Sequence, residues 1–186
     1  PMSDELSRTY MNSSKRARYR LACENPHKTD VLTTLLRKHE GRRILIIGLY
    51  ISQLQKLSKK LNVPFIHGKM PNEEREELYD AFRRGEVPVL IISKVGNFAI
   101  DLPDANVAIQ ISGTFGSRQE EAQRLGRILR PKSDGSMSKF YSLTSENTVD
   151  QEYAEKRQRF LTERGYYYEL VNAEQILNDN NVRADH

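Results

Sequence analysis

Two short runs, Arg43-Ile44-Leu45-Ile46-Ile47 and Val87-Pro88-Val89-Leu90-Ile91-Ile92, constrain the fold of this chain more than any other feature. The first is rich in β-branched side chains and apolar on consecutive positions, the pattern of a strand covered on both faces. Amphipathic segments alternate with such runs. Asn25-Pro26 opens a helix, with Asn25 as cap and Pro26 losing nothing by its missing donor, and Val31, Leu32, Leu35 and Leu36 continue it until Gly41. Ile51, Leu54, Leu57 and Leu61 mark a second helix, residues 63–66 a short strand, and residues 72–82 a glutamate-rich helix that Gly85 stops. Strands at 107–111 and 139–143, helices at 120–129 and 149–160, and a last strand at 166–171 complete the pattern. The alternation predicts an α/β fold: an open, mostly parallel sheet with helices on both faces.

Residues 1–20 show little apolar periodicity and read as a lead-in, residues 21–177 as the domain, and residues 178–186 as a flexible tail. No apolar run approaches the roughly 18 residues of a membrane-spanning helix, and no signal peptide is evident, so a membrane role is not expected. One cysteine, Cys23, excludes an internal disulfide framework and favours a reducing compartment. The four histidines, at 27, 39, 67 and 186, have no zinc-binding spacing. The formal net charge of +4 is compatible with nucleic-acid binding but does not argue for it. Two basic clusters, at 15–20 and 124–132, say more; the first fits a phosphate patch or a solvated connector equally well.

Parallel sheets bind ligands beyond the carboxyl ends of their strands. Here those loops are Gly48-Leu49-Tyr50, His67-Gly68-Lys69, Ser93-Lys94-Val95-Gly96-Asn97 and Gly113-Thr114-Phe115-Gly116. No phosphate loop ends in Gly-Lys-Ser or Gly-Lys-Thr, no strand ends in an Asp-Glu pair suited to magnesium, and no histidine has an evident acid or nucleophile partner. The chain alone is therefore not expected to hydrolyse a nucleotide. The strongest positive signal is the segment 123–132. At about 100° per residue, Gln123, Arg127 and Arg130 share one helix face, while Ala122, Leu125 and Leu129 turn elsewhere. Two guanidiniums one turn apart can meet a polyphosphate and stabilise a transferring phosphoryl group. Geometry alone fits a solvated basic face, or an arginine pair with Glu120 or Glu121, just as well. Three successive tyrosines, Tyr166, Tyr167 and Tyr168, suit core and edge packing better than base stacking.

Ser93-Lys94-Val95-Gly96 followed by Ile100-Asp101-Leu102-Pro103-Asp104-Ala105-Asn106-Val107 resembles motif V of the XPB family of superfamily 2 DNA helicases, and residues 123–132 resemble its motif VI. The turn at 113–116 and the segments 117–119, 140–143 and 156–161 are similar to family segments too, so the likeness spans nearly the whole chain. It implies the second of two RecA-like lobes that bind ATP and Mg2+ between them, the first lobe carrying the phosphate loop. Arg127 and Arg130 then resemble the motif VI arginines that reach the phosphates, with Gln123, Gly96 and Asp101 on the nucleotide side. Gly48 and Tyr50 resemble motif IV, and Ser93 and Lys94 resemble motif V positions near the DNA backbone; Lys69 is an electrostatic candidate beside them, whereas His67 suits anchoring of its own loop at least as well. Read as residues only, Ser93 suits a turn cap, Lys94 solvent, and Asp101 a loop brace. Asn97 departs from the aspartate expected in eukaryotic relatives, and Ala99 from the glycine of many superfamily 2 enzymes.

The resemblance implies an ATP-dependent DNA helicase or translocase acting in nucleotide excision repair. Its implied partners are DNA, the first lobe, a repair nuclease and, in eukaryotes, subunits of the transcription factor TFIIH. A non-catalytic module that binds DNA or a nuclease is the alternative. The short segment 133–138 favours a prokaryotic or archaeal source, hence cytoplasm or nucleoid, over a eukaryotic nucleus.

Overall fold

The computed structural model describes residues 1–93, 105–112, 138–163 and 169–181, the side chains of the last three excepted. The chain divides into two compact units, residues 41–143 and residues 1–40 with 144–186.

The first unit is built on five parallel strands: β1 (Ile44–Gly48), β2 (Phe65–Ile66), β3 (Val89–Ser93), β4 (Val107–Gln110) and β5 (Lys139–Ser142). Their order is β2-β3-β1-β4-β5. The consecutive apolar run of β1 is explained by its central place: every residue in it is buried, between β3 on one side and β4 on the other. Each such side chain contributes about 1.5–3 kcal/mol on leaving water. Between β1 and β2 lies α4 (Ile51–Leu61), and between β2 and β3 lies α5 (Asn72–Arg83). Tyr79 and Phe82 of α5 join Leu45, Ile47, Leu90, Ile92 and Ala108 in one apolar cluster. A Cβ on Gly48 would instead meet Leu54 of α4. Alternate strand positions point to opposite faces, so α4 and α5 cover opposite sides of the sheet.

The end of α5 shows why Gly85 stops it. Gly85 has φ +77°, its N–H donates to Phe82 O, and Glu86 N–H donates to Ala81 O, which together satisfy two otherwise orphaned carbonyls. Asn62, with φ 53°, closes α4 in the same left-handed region.

The second unit is helical: α1 (Asp4–Met11), α2 (Lys15–Cys23), α3 (His27–Lys38), α6 (Val149–Glu163) and α7 (Ala173–Asn181). Asn25 Oδ1 accepts the His27 amide at 3.2 Å, the capping role read from the Asn-Pro pair. The segment read as a lead-in contains α1 and most of α2, capped by Ser3 and Ser14. Tyr10 and Tyr19 are buried, and Tyr19 packs edge-on against Tyr153 with ring centroids 5.4 Å apart. Two local expectations are corrected. Residues 169–171 carry no strand, and residues 178–181 form the last turn of α7 where a frayed end was expected. Leu170 and Val171, apolar residues of the expected strand, are both exposed. The Asn172 Oδ1 that accepts the Glu174 amide gives α7 a start that an apolar pattern does not reveal. The expected helix at 120–129 and residues 166–168 of the expected strand lie outside the described residues.

Candidate nucleic-acid and nucleotide edge

At the carboxyl edge of the sheet, the chain leaves β1 toward β2 on one side and leaves β4 toward β5 on the other. Parallel sheets take ligands where such connections diverge, which here is at the carboxyl ends of β1 and β4.

Gly48 ends β1 at this point. A Cβ there would lie 2.6 Å from Leu54 Cδ2 and 3.1 Å from Ser112 Oγ, so only glycine lets α4 and the end of β4 close on the strand. Ser112 Oγ also accepts the Leu49 N–H at 2.6 Å, tying the β1 loop to the β4 loop. Tyr50, half-buried, is the N-cap of α4 but supplies no side-chain cap, and the first turn of α4 has no acidic residue. The positive end of the helix dipole is thus uncompensated by this helix's own side chains.

Ser93 is the register partner of Gly48, so its side chain leaves the sheet on the α4 face. Ser93 is 0% exposed, and its Oγ has no hydrogen-bond partner among the described residues. Gln110, the partner of Ile47, projects on the α5 face, and its buried Oε1 is likewise unpaired among the described residues. A buried polar atom left unpaired costs about 1–3 kcal/mol, which sets these two apart from ordinary strand residues.

Lys69 is exposed in the loop after β2. His67 packs its ring on Phe65 at 5.3 Å, and its carbonyl accepts the Met70 N–H, so it anchors its own loop. Gly48, Tyr50, Lys69 and Ser93 therefore all lie at strand carboxyl ends. Lys94, Gly96, Asp101, Gln123, Arg127 and Arg130 lie outside the described residues, as do Asn97 and Ala99. Sequence reasoning passed over Gln110 and Ser112. A polar residue inside an apolar strand was the available signal for Gln110; Ser112 becomes meaningful only once β1 and β4 are known to be neighbours. Among the described residues no group of three or more His, Cys, Asp or Glu side chains could hold a metal ion. No helix among them is long and apolar enough to cross a membrane.

The family described as ERCC3/RAD25/XPB C-terminal helicase matches residues 1–185. The chain belongs to this family. It is 51% identical over 177 residues to the DNA 3'-5' helicase XPB of Mycobacterium tuberculosis, covering 95% of this chain and 32% of that protein. It is 38% identical over 177 residues to the general transcription and DNA repair factor IIH helicase/translocase subunit XPB/SSL2 of Saccharomyces cerevisiae, covering 92% of this chain and 21% of that protein. The chain thus spans a third or less of these XPB relatives. Among solved structures, the C-terminal domain of the DEAD-box protein Dbp5 superposes with a TM-score of 0.56 at 23% identity, over 69% of this chain and 79% of that one. The C-terminal part of the Fun30 ATPase domain gives 0.55 at 23% identity, over 69% and 44%. These likenesses establish a RecA-like helicase-lobe fold.

Proposed function

We propose that this chain is the second lobe of an ATP-dependent DNA helicase or translocase that opens DNA for nucleotide excision repair. Membership in the XPB C-terminal helicase family over residues 1–185 is the observation that carries the reading. The carboxyl edge supports it, because Gly48 and the uncapped start of α4 lie on the same face of the sheet as the buried, unpaired Ser93 hydroxyl.

In this reading Arg127 and Arg130 reach the phosphates of an ATP molecule held, with Mg2+, by a preceding lobe. A guanidinium suits that role, being always charged and offering forked donors to phosphate oxygens. Gln123, Gly96 and Asp101 line the nucleotide side. Gly48, Tyr50, Ser93, Lys94 and Lys69 hold the DNA backbone, which fixes position without reading sequence. Closing and reopening of the lobes then moves the backbone-holding loops along DNA. Subunits of a TFIIH-type assembly or a repair nuclease are the partners this role calls for.

The test is turnover in the two-lobe protein. Arg127→Ala and Arg130→Ala should each lower ATP hydrolysis by about 10²-fold or more, the scale of removing a transition-state donor, while folding and most DNA affinity persist. Wild-type turnover in both variants rejects the arginine assignment.

A further inference from the structure

The stretch 41–72 contains no aspartate or glutamate, and it carries Arg42, Arg43, Lys56, Lys59, Lys60 and Lys69. Three of these lysines lie on α4, and all three are exposed. At about 100° per residue, Lys56, Lys59 and Lys60 fall within one 100° arc, opposite the buried Leu54 and turned away from the buried Leu57. None of them takes part in an ion pair or other polar contact among the described residues.

Two ordinary explanations fall short. Lys59 and Lys60 in the last turn complement the helix dipole, but Lys56 sits mid-helix, where that effect has faded. Opposite charges at i,i+3 or i,i+4 offset one another on a helix, as Asp80 and Arg83 of α5 do at 2.8 Å. On α4 the pairs Lys56–Lys60 and Lys56–Lys59 stand at i,i+4 and i,i+3 with like charge and nothing to offset it. On the other side of the sheet, α5 exposes Glu73, Glu74, Glu76 and Glu77. Among the described helices of the sheet unit, α4 is therefore basic and α5 acidic.

We propose that the outward face of α4 is a second phosphate-backbone contact, which lets DNA gripped at the strand ends continue along Lys56, Lys59 and Lys60. The occupant is a polyanion because three uncompensated ammonium groups lie within about 6 Å of helix axis. Nucleic acid is the polyanion this position suits, because α4 starts at the strand carboxyl ends proposed to hold DNA and its lysines lie about 8–14 Å further along the same helix axis. Its identity as DNA rests on the translocase reading above.

The experiment measures fluorescence anisotropy of a labelled duplex of about 30 base pairs with the two-lobe protein, from 50 to 200 mM KCl. Each phosphate contact contributes about 0.9 to the slope of log K against log salt. The triple variant Lys56→Gln, Lys59→Gln and Lys60→Gln should make that slope shallower by about 2 to 3 and lower affinity by about 10²-fold at 100 mM. A control variant, Glu73→Gln, Glu74→Gln and Glu77→Gln, changes net charge equally in the other direction and should leave the slope unchanged. An unchanged slope in the lysine variant overturns the proposal while leaving the translocase reading intact. Equal and opposite shifts in the two variants also overturn it, since net charge and not a contact then governs. Selective loss of binding to a polyglutamate probe, with duplex binding unaltered, assigns the face to an acidic protein and overturns it as well. The translocase reading fails separately, through normal ATP turnover in Arg127→Ala and Arg130→Ala.

Discussion

In the helical unit, Lys28 and Asp150 are buried at 6% and 4% exposure and meet at 2.7 Å between Nζ and Oδ2; at the sheet's carboxyl edge, Ser93 is just as buried and its hydroxyl meets nothing among the described residues. Around the ion pair the polar groups answer one another. The Ser145 N–H donates to Asp150 Oδ2 at 3.1 Å, Ser145 Oγ donates to the Ala22 carbonyl at 2.6 Å, and Asn25 Nδ2 donates to that same Oγ at 3.2 Å. Thr148 Oγ1 accepts the Asp150 amide, capping α6. This network stitches α2 and α3 to the start of α6, segments more than a hundred residues apart in sequence. The contrast separates two uses of buried polarity. A satisfied network of this kind holds a fold together; on the proposed reading, the unpaired Ser93 hydroxyl is left for a ligand to satisfy.

Removing one member of the ion pair is the largest perturbation available. Asp150→Ala strands a buried ammonium and should destabilise the chain by about 3–5 kcal/mol, lowering Tm by roughly 10 °C. The double variant Lys28→Met with Asp150→Leu should recover most of that loss in a double-mutant cycle of urea unfolding. Additive losses would mean that the two groups do not act as a pair and would erase the contrast.

Gly48→Ala tests the tight side of the sheet edge. The new methyl must displace Leu54, which is fully buried, and press on the Ser112 hydroxyl that holds the Leu49 amide. A cost of about 1–3 kcal/mol is expected, together with weaker DNA binding because the β1 loop loses its tether. Unaltered thermal stability would show that α4 can slide away from β1 freely.

The strands were legible because their burial is written in consecutive apolar residues: residues 43–47 and 87–92 announce β1 and β3 within two residues of their observed limits. Strand order was not, since no local pattern says that β4 passes beyond β3 to lie against β1. For the same reason Ser112 stayed hidden, its importance being a consequence of the β1–β4 register. Helices α1 and α2 were missed for a different cause. In α2 only Tyr19, Ala22 and Cys23 are buried, and four cations dilute the apolar stripe, so the signal sat in the caps Ser3 and Ser14 instead. Gly48 and Ser93, by contrast, stand out through their resemblance to motifs IV and V, which marks strand-end positions without the strand order.

The smallest stability effect carries the sharpest test, because its sign differs between the two regions. Ser145→Ala removes a hydroxyl that both donates and accepts, and leaves the Ala22 carbonyl and the Asn25 amide short of a partner, so a loss of about 1–2 kcal/mol is expected. Ser93→Ala removes a hydroxyl of the same size and burial, but one with no described partner to orphan. Relief of its desolvation should leave unfolding free energy unchanged or raised by up to about 1 kcal/mol, while affinity for duplex DNA falls by about tenfold or more, the worth of one hydrogen bond to a charged phosphate. Parallel urea titrations and anisotropy measurements on the two variants read both quantities. If Ser93→Ala costs as much stability as Ser145→Ala and leaves DNA affinity unchanged, the hydroxyl belongs to the architecture, and the carboxyl edge loses its claim to be built for a ligand.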